Sequence, residues 1–309
     1  MKVYKCIEDY SGSRDSFLTI GTFDGVHVGH RAIIKNLVDD ARSKNANAVV
    51  LTFFPHPRSV VNGEKNFSLI DSMDEKEDLL KNLGVDILII HPFTSDFSKL
   101  TAQKFILEVL VKQLNISKLV IGYDHRFGKN RTASVSDLIS YGKIYGFEVD
   151  VIPAQDIDKI SVSSTKIRKA LSNGDIKIVN EYLDREYQIE GIVFQDQGLG
   201  SKIGFPTANI QVLPSYKALP KIGVYWVSSI WKNKKYFGML NFGNRPSVKS
   251  KKETIEVHFF NFNENIYNET IKIYFHIKIR DEKKFDSIES LITQLKVDKE
   301  FCYELEKTN

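Results

Sequence analysis

The chain of 309 residues is 42% hydrophobic and 27% charged, the balance of a folded, water-soluble protein, and is long enough for two domains that each bury a core. Its formal charge of +4 falls well short of the basic stripe of proteins that grip a phosphate backbone, so small anionic ligands are expected as partners rather than long nucleic acid. The two cysteines, Cys6 and Cys302, give no disulfide framework, no run approaches the ~20 apolar residues of a membrane span, and the opening residues lack a signal-peptide core. A cytoplasmic protein without membrane contact is expected.

In chain order, short β-branched runs alternate with stretches of helical period from residue 17 to about 180. FLTIG, AVVLTFF, VDILII, KLVIGYD and FEVDVIP read as strands. After the first of them Ile33, Ile34, Leu37, Val38 and Ala41 recur at the three- and four-residue spacing of a helix stripe, and DEKEDLLKNL, TAQKFILEVLVKQL and SVSDLISYGKIYG repeat the pattern. This alternation predicts a doubly wound α/β domain, a parallel sheet with helices on both faces.

Past Arg185 the period changes to two. YQIEGIVF, GVYWVSSI, KKYFGMLNF, TIEVHFF and IKIYFHIKI read as half-buried antiparallel strands; in the last, Ile271, Ile273, Phe275, Ile277 and Ile279 share one face. Several such strands at short spacing predict a small barrel or sandwich. SIESLITQLKVDKEFCYELE reads as a closing amphipathic helix able to plug one end. The change of period sets the expected domains at 1–184 and 185–309.

Chemistry concentrates after the strands of the first domain. GTFDGVHVGH lies between the first strand and a helix, where an open parallel sheet collects ligands and helix N-termini favour phosphate. Gly21, Gly25 and Gly29 allow close backbone approach, and His27 and His30, three apart, can share a helical face and donate to one phosphate. Two other readings compete: ordinary hydrogen-bonded histidines, or a zinc pair beside Asp24, the latter weakened by the missing third ligand. FFPHPR, GYDHRFGKNR and SVSSTKIRKAL each follow another strand. Separately they read as a proline-stiffened loop, a solvated charge cluster and a serine N-cap. Together they would bring His56, Arg58, Asp124, Arg126, Ser164, Thr165 and Arg168 to the same edge as His27 and His30, a phosphate-handling constellation.

GTFDGVHVGH with SVSSTKIR resembles the paired signatures of the HxGH nucleotidyltransferases. TFFPHPR and IGYDHRFGKNR narrow the resemblance to the adenylyltransferase half of the bacterial bifunctional riboflavin kinase/FMN adenylyltransferases, or FAD synthetases. The resemblance implies in-line attack of the FMN phosphate on the α-phosphorus of ATP with release of pyrophosphate, Mg²⁺ accompanying ATP. It implies His27, His30 and Arg168 in catalysis; Gly21, Phe23, Asp24, Gly25, Gly29, Asp124, Arg126, Ser164 and Thr165 at ATP; and Pro55, His56, Pro57 and Arg58 on the flavin side.

In the second domain GLGSKIGFPTANI spaces its glycines too widely for a dinucleotide fingerprint and no helical pattern follows, so a Rossmann reading fails; a hairpin loop is the plain alternative. Thr207 and Asn209 can offer neutral oxygens to a hard cation. The resemblance continues through this loop and through KIGVYWV, NFGNRPS, EVHFFNF and KIRDEKKF, in the family's order. It implies ATP at Lys202, Gly204, Pro206, Thr207 and Asn209, the metal on Thr207 and Asn209, flavin at Arg280, and Glu256 as general base on the ribityl 5′-hydroxyl of riboflavin. Ser247 and Asn268 depart from the family's threonine and glycine; asparagine tolerates a left-handed turn. The expected partners are ATP, riboflavin, FMN, FAD and pyrophosphate. Two alternatives remain: a nucleotidyltransferase for another phosphorylated acceptor, and a nonenzymatic single-strand binder, which would lose affinity steeply with salt.

Overall fold

The computed structural model describes residues 1–12, 16–64, 67–123, 126–129, 132–153, 162–195, 199–246 and 251–308. The chain divides into two compact units, Met1–Ser164 and Thr165–Asn309.

The first unit is built on a six-stranded sheet of β1 (Lys2–Tyr4), β2 (Ser16–Ile20), β3 (Asn47–Phe54), β4 (Ile87–Pro92), β5 (Lys118–Gly122) and β6 (Glu148–Ile152). Their order is β1-β4-β3-β2-β5-β6, and every pairing is parallel. The five runs read as strands are β2 to β6; β1, three residues in KVYK, lies outside that reading. Because β2 is central, with later strands added on both sides, the order reverses between β2 and β5, the position where parallel sheets bind ligands.

Alternate residues of each strand feed opposite faces. Leu18, Ile20, Val49, Leu51, Leu119 and Ile121 pack with Phe105, Ile106, Leu110 and Leu138, from the helical stretches Ala102–Gln113 and Val135–Tyr145. Phe17, Val50, Leu88 and Val120 pack with Ile34, Leu37, Val38, Ala41 and Leu80, from helices Val28–Ser43 and Met73–Asn82. The doubly wound expectation is met by two cores, one per face. Residues 105–113 widen into a π-helix.

The second unit closes a barrel from β7 (Tyr187–Phe194), β8 (Ala208–Leu213), β9 (Gly223–Trp231), β10 (Lys234–Pro246), β11 (Lys251–Phe259) and β12 (Thr270–Arg280), in the order β10-β11-β8-β7-β12-β9. All its pairings are antiparallel. Residues 208–210, the end of the stretch expected to be a loop, open β8, which takes its pairing from β7 and β11. The single-face reading of the last strand is corrected. Phe275 pairs with Val227 but Ile277 with Trp226, so His276 is an extra, bulged residue. Beyond it Ile277 and Ile279 join Trp226, Met239 and Cys302 under the apolar side chains Ile292, Leu295 and Tyr303 of helix Ile288–Thr308. Trp226 lies between the fully buried Tyr225 and Val227, so this helix covers the outward face of the barrel wall and does not plug an end.

Helices Ser164–Asn173 and Ile176–Leu183 fall with the barrel, although the change of period comes near residue 184. Asn180 explains this: its side chain donates to the Phe275 carbonyl at 2.9 Å and accepts from the Tyr187 N–H at 2.7 Å.

Candidate active sites

In the first unit the chain leaves β2 through a strained turn. Phe23 and Val26 have φ of 45° and 35°, and Gly25 between them has φ 89°; a bulky residue at positive φ is uncommon and concentrates at functional positions. A Cβ on Gly25 would lie 3.0 Å from Ile70 Cδ1, so glycine serves both conformation and contact here. The turn is held from three sides. Asp24, fully buried, accepts the Ile70 N–H at 2.9 Å; the Thr22 carbonyl accepts Thr52 Oγ1 at 3.1 Å and Lys76 Nζ at 2.8 Å.

His27 caps the helix that follows, its Nδ1 accepting the His30 N–H at 3.4 Å. That acceptance places the proton of the neutral ring on Nε2. The two imidazoles stack at 3.6 Å between centroids, and Phe23 meets His30 edge-on at 5.2 Å. Burial pushes His27 down to about 4, against the nearby Asp71, which favours its charged form. Burial, then His27, then Lys76 hold His30 well below the ordinary histidine value. Two stacked imidazolium ions would repel; the pair is neutral and His30 Nδ1 is buried without a hydrogen-bond partner among the described residues.

The start of the second signature meets the first. Ser164 Oγ donates to the Asp24 carbonyl at 2.9 Å, so segments 140 residues apart join at one rim of the sheet. Thr165 and Arg168 follow in the same helix, Arg168 one turn on and half-buried. Beyond β3, His56 caps the short helix Pro57–Val61, its Nδ1 accepting the Arg58 N–H at 3.1 Å. The His56 ring stacks on Phe67 at 4.4 Å, with the Arg58 guanidinium 5.9 Å from the Phe67 centroid; the motif thus carries an aromatic platform flanked by Pro55 and Pro57. After β5, Arg126 is exposed while Phe127 is buried and bridged to Ala133. Asp124 lies outside the described residues. Among the described residues no group of three or more His, Cys, Asp or Glu is placed to hold a metal.

In the second unit the loop after β7 closes on itself: Phe205 N–H donates to the Gly200 carbonyl at 2.8 Å, and Gly204 has φ 86°. Lys202, Gly204 and Pro206 are exposed along it. His258 Nδ1 donates to the Pro206 carbonyl at 2.8 Å, tying the loop to β11. In register, Glu256 lies between Asn209 on β8 and Asn241 on β10, and cross-strand partners share a face. Ile255 and Val257, its neighbours, are buried on the opposite face, as their alternation predicted. Asn209 is 6% exposed, and its Oδ1 is buried without a hydrogen-bond partner among the described residues. An orphaned neutral oxygen beside a carboxylate and near Thr207 fits a hard cation. Asn268 adopts φ 66°, a left-handed conformation that asparagine tolerates; Ser247 lies outside the described residues.

Residues 10–166 match the family model for FAD synthetase and residues 183–305 that for riboflavin kinase. Bifunctional riboflavin kinase/FMN adenylyltransferases are 37% identical over 92% of both chains in Buchnera aphidicola, and 36% identical in Listeria monocytogenes over 92% of this chain and 90% of that one. The chain belongs to this family. It is an enzyme of flavin cofactor synthesis, phosphorylating riboflavin to FMN and adenylylating FMN to FAD, with ATP the donor in both steps. A solved structure described as a macrolide-efflux protein from Streptococcus pneumoniae superposes with a TM-score of 0.88 at 32% identity, covering 97% of this chain and 98% of that one. Among the described residues no helix is long and apolar enough to cross a membrane.

Three features of the bifunctional enzyme escaped the sequence reading. Phe67, eleven residues beyond His56, stacks on the ring of the PHPR histidine. His258 reads as an ordinary strand residue until its bond to Pro206 is seen. Lys76 is buried at 2% exposure, and the signal was present: at i, i+4 spacing it shares the stripe of Leu80 in Met73–Asn82. Arg280, expected on the flavin side, is engaged inside the fold. Its Nε and Nη2 bind the Asp298 carboxylate at 2.8–3.1 Å and Nη1 donates to the Asp281 carbonyl at 3.1 Å.

Proposed function

We propose that the two steps are divided between these sites, with the joined GTFDGVHVGH and Ser164 segments carrying adenylyl transfer and the Asn209–Glu256 row carrying riboflavin phosphorylation. The observation that supports the first assignment most strongly is the Ser164 to Asp24 hydrogen bond, which joins the two distant signatures at one rim. There His27 offers Nε2–H, and the helix N-terminus offers backbone N–H groups, to the triphosphate of ATP. Arg168 and Thr165 contribute by their place in the matching signature, as do Gly21, Gly29 and Arg126. The His56, Arg58 and Phe67 platform takes the flavin side. No covalent enzyme intermediate is needed: the FMN phosphate attacks in line, and the protein supplies alignment and charge stabilisation. Asp24 acts inward, on the turn, and not on nucleotide.

In the barrel Glu256 accepts the proton of the ribityl hydroxyl as it attacks the γ-phosphorus of ATP. Thr207 and Asn209 would hold Mg²⁺, whose contribution is to neutralise phosphate charge. Lys202, Gly204 and Pro206 form the nucleotide loop. Arg280 is a support for helix Ile288–Thr308, not a flavin ligand. The enzyme works in the cytoplasm on small nucleotides, without nucleic acid or membrane partners; both cysteines are free thiols.

Two variants with a flavin product assay test the division. Glu256→Gln stops FMN formation and leaves FMN-to-FAD conversion intact, while His27→Ala does the reverse. Loss of both reactions in either folded variant would overturn the assignment.

A further inference from the structure

The first unit buries a lysine at the foot of its candidate site, and no step above uses it. Lys76 lies in the first turn of helix Met73–Asn82, and its Nζ donates to the Thr22 carbonyl. A buried ammonium is costly unless paired and hydrogen-bonded. The charged and titratable groups facing Lys76 come from each element packed on it: Asp24 from the turn after β2, Asp71 from the segment entering its own helix, and His30 from helix Val28–Ser43. Burial lowers the lysine's proton affinity, and both carboxylates oppose that loss. The carbonyl it clamps lies immediately before Phe23, the first of the positive-φ residues in the turn. Such a conformation persists only where its surroundings over-determine it.

We propose that Lys76 is a positioning residue for adenylyl transfer: its ammonium fixes the Thr22–Val26 turn and thereby sets the stacked His27–His30 pair against the triphosphate. The proposal rests on the assignment of that pair to ATP. A second consequence follows from charge. The cation disfavours protonation of His30, so its removal raises the pH at which His30 titrates. Asp71, acting on His27, works in the opposite direction.

The test is Lys76→Met in the full-length protein, which keeps side-chain length and removes donor and charge. Adenylyl transfer is expected to lose on the order of a hundredfold in kcat, the usual consequence of misplacing aligned groups by about 1 Å, while the kinase reaction of the same polypeptide is unchanged. The His30 imidazole, followed by NMR without nucleotide, is expected to titrate at higher pH than in the wild type. The titration reports the cation's proximity to His30, whereas a lysine that served stability alone would leave kcat of the folded variant unchanged; an unmoved titration or unchanged kcat overturns the proposal. His30→Ala is assayed in parallel. If it leaves adenylyl transfer intact, the assignment of the histidines to ATP fails. If it abolishes transfer while Lys76→Met does not, Lys76 alone is wrong. Should Lys76→Met lose the kinase reaction too through misfolding, the wild type decides: a Lys76 ammonium protected from solvent exchange at neutral pH supports the clamp, and a freely exchanging one overturns it.

Discussion

His27 resists protonation because its ring is buried and one nitrogen is already an acceptor for the His30 N–H. Its folded value of about 4 lies below the ordinary ~6.5 of an unfolded chain. The unfolded state therefore binds the proton first, and the linked stability is complete above pH ~6.5 and lost as pH falls towards 4. The difference corresponds to about 3 kcal/mol for this residue, and His30 acts in the same direction. Denaturation of the wild type followed between pH 4 and 7 should show stability rising with pH, with the slope reduced in His27→Gln. In the barrel Asn209 presents the opposite situation, a buried oxygen without a hydrogen-bond partner among the described residues. Leaving such a group unsatisfied costs ~1–3 kcal/mol, so Asn209→Leu is expected to keep or raise thermal stability while severely weakening riboflavin phosphorylation and its response to Mg²⁺. A thermal melt beside a magnesium titration of the kinase rate distinguishes a metal-binding asparagine, with Tm held and rate lost, from a structural one, with both lost.

At the scale of elements, the turn from residue 21 to 27 is a device for aiming side chains, and Gly25 is its hinge. Gly25→Ala adds a Cβ 3.0 Å from Ile70 Cδ1 at φ 89°, a conformation costing ~1–2 kcal/mol for an L-residue. The expected result is a modest loss of stability with a larger loss of adenylyl transfer, read from paired melts and rate assays, and no change in the kinase. The positions of this turn, of His56 and of Glu256 were legible because they follow from strand ends and from period-two alternation, which are local properties. What was not legible depends on partners far along the chain. β8 begins at the end of the expected loop GLGSKIGFPTANI, and its strand character comes from β7 and β11. The bulge at His276 leaves no mark in the perfect alternation of IKIYFHIKI, since register is decided by the neighbouring β9. Arg280 shows the same limit: an exposed-looking residue at a strand end becomes a bidentate partner of Asp298 on a helix that begins eight residues later. Asp298→Ala strands that half-buried guanidinium and should destabilise the barrel by ~3–5 kcal/mol, measurable as an earlier denaturant midpoint, whether or not flavin is present.

For the whole molecule, the two helices between the sheet and the barrel decide where the enzyme can be cut. A change of hydrophobic period marks residue 184 and the riboflavin kinase match begins at residue 183, yet compactness places helices Ser164–Asn173 and Ile176–Leu183 with the barrel. Their apolar faces are fully committed: Ile167, Leu171, Ile176, Val179 and Leu183 are each no more than 1% exposed. The backbone is committed too, with Lys221 N–H donating to the Leu171 carbonyl at 2.8 Å, and Lys278 leaving no room for a Cβ on Gly174, which would lie 2.7 Å from its Cδ. Burying one large apolar side chain contributes ~1.5–3 kcal/mol, so removing even the second helix forfeits an amount comparable to the ~5–15 kcal/mol that holds a domain together. A fragment of residues 165–309 is therefore expected to fold cooperatively and to phosphorylate riboflavin, whereas a fragment of residues 185–309 should aggregate or melt far earlier and phosphorylate little. Circular dichroism melts and FMN formation on the two fragments check this; equal stability and turnover would mean that the helices belong functionally with the adenylyltransferase and only rest on the barrel.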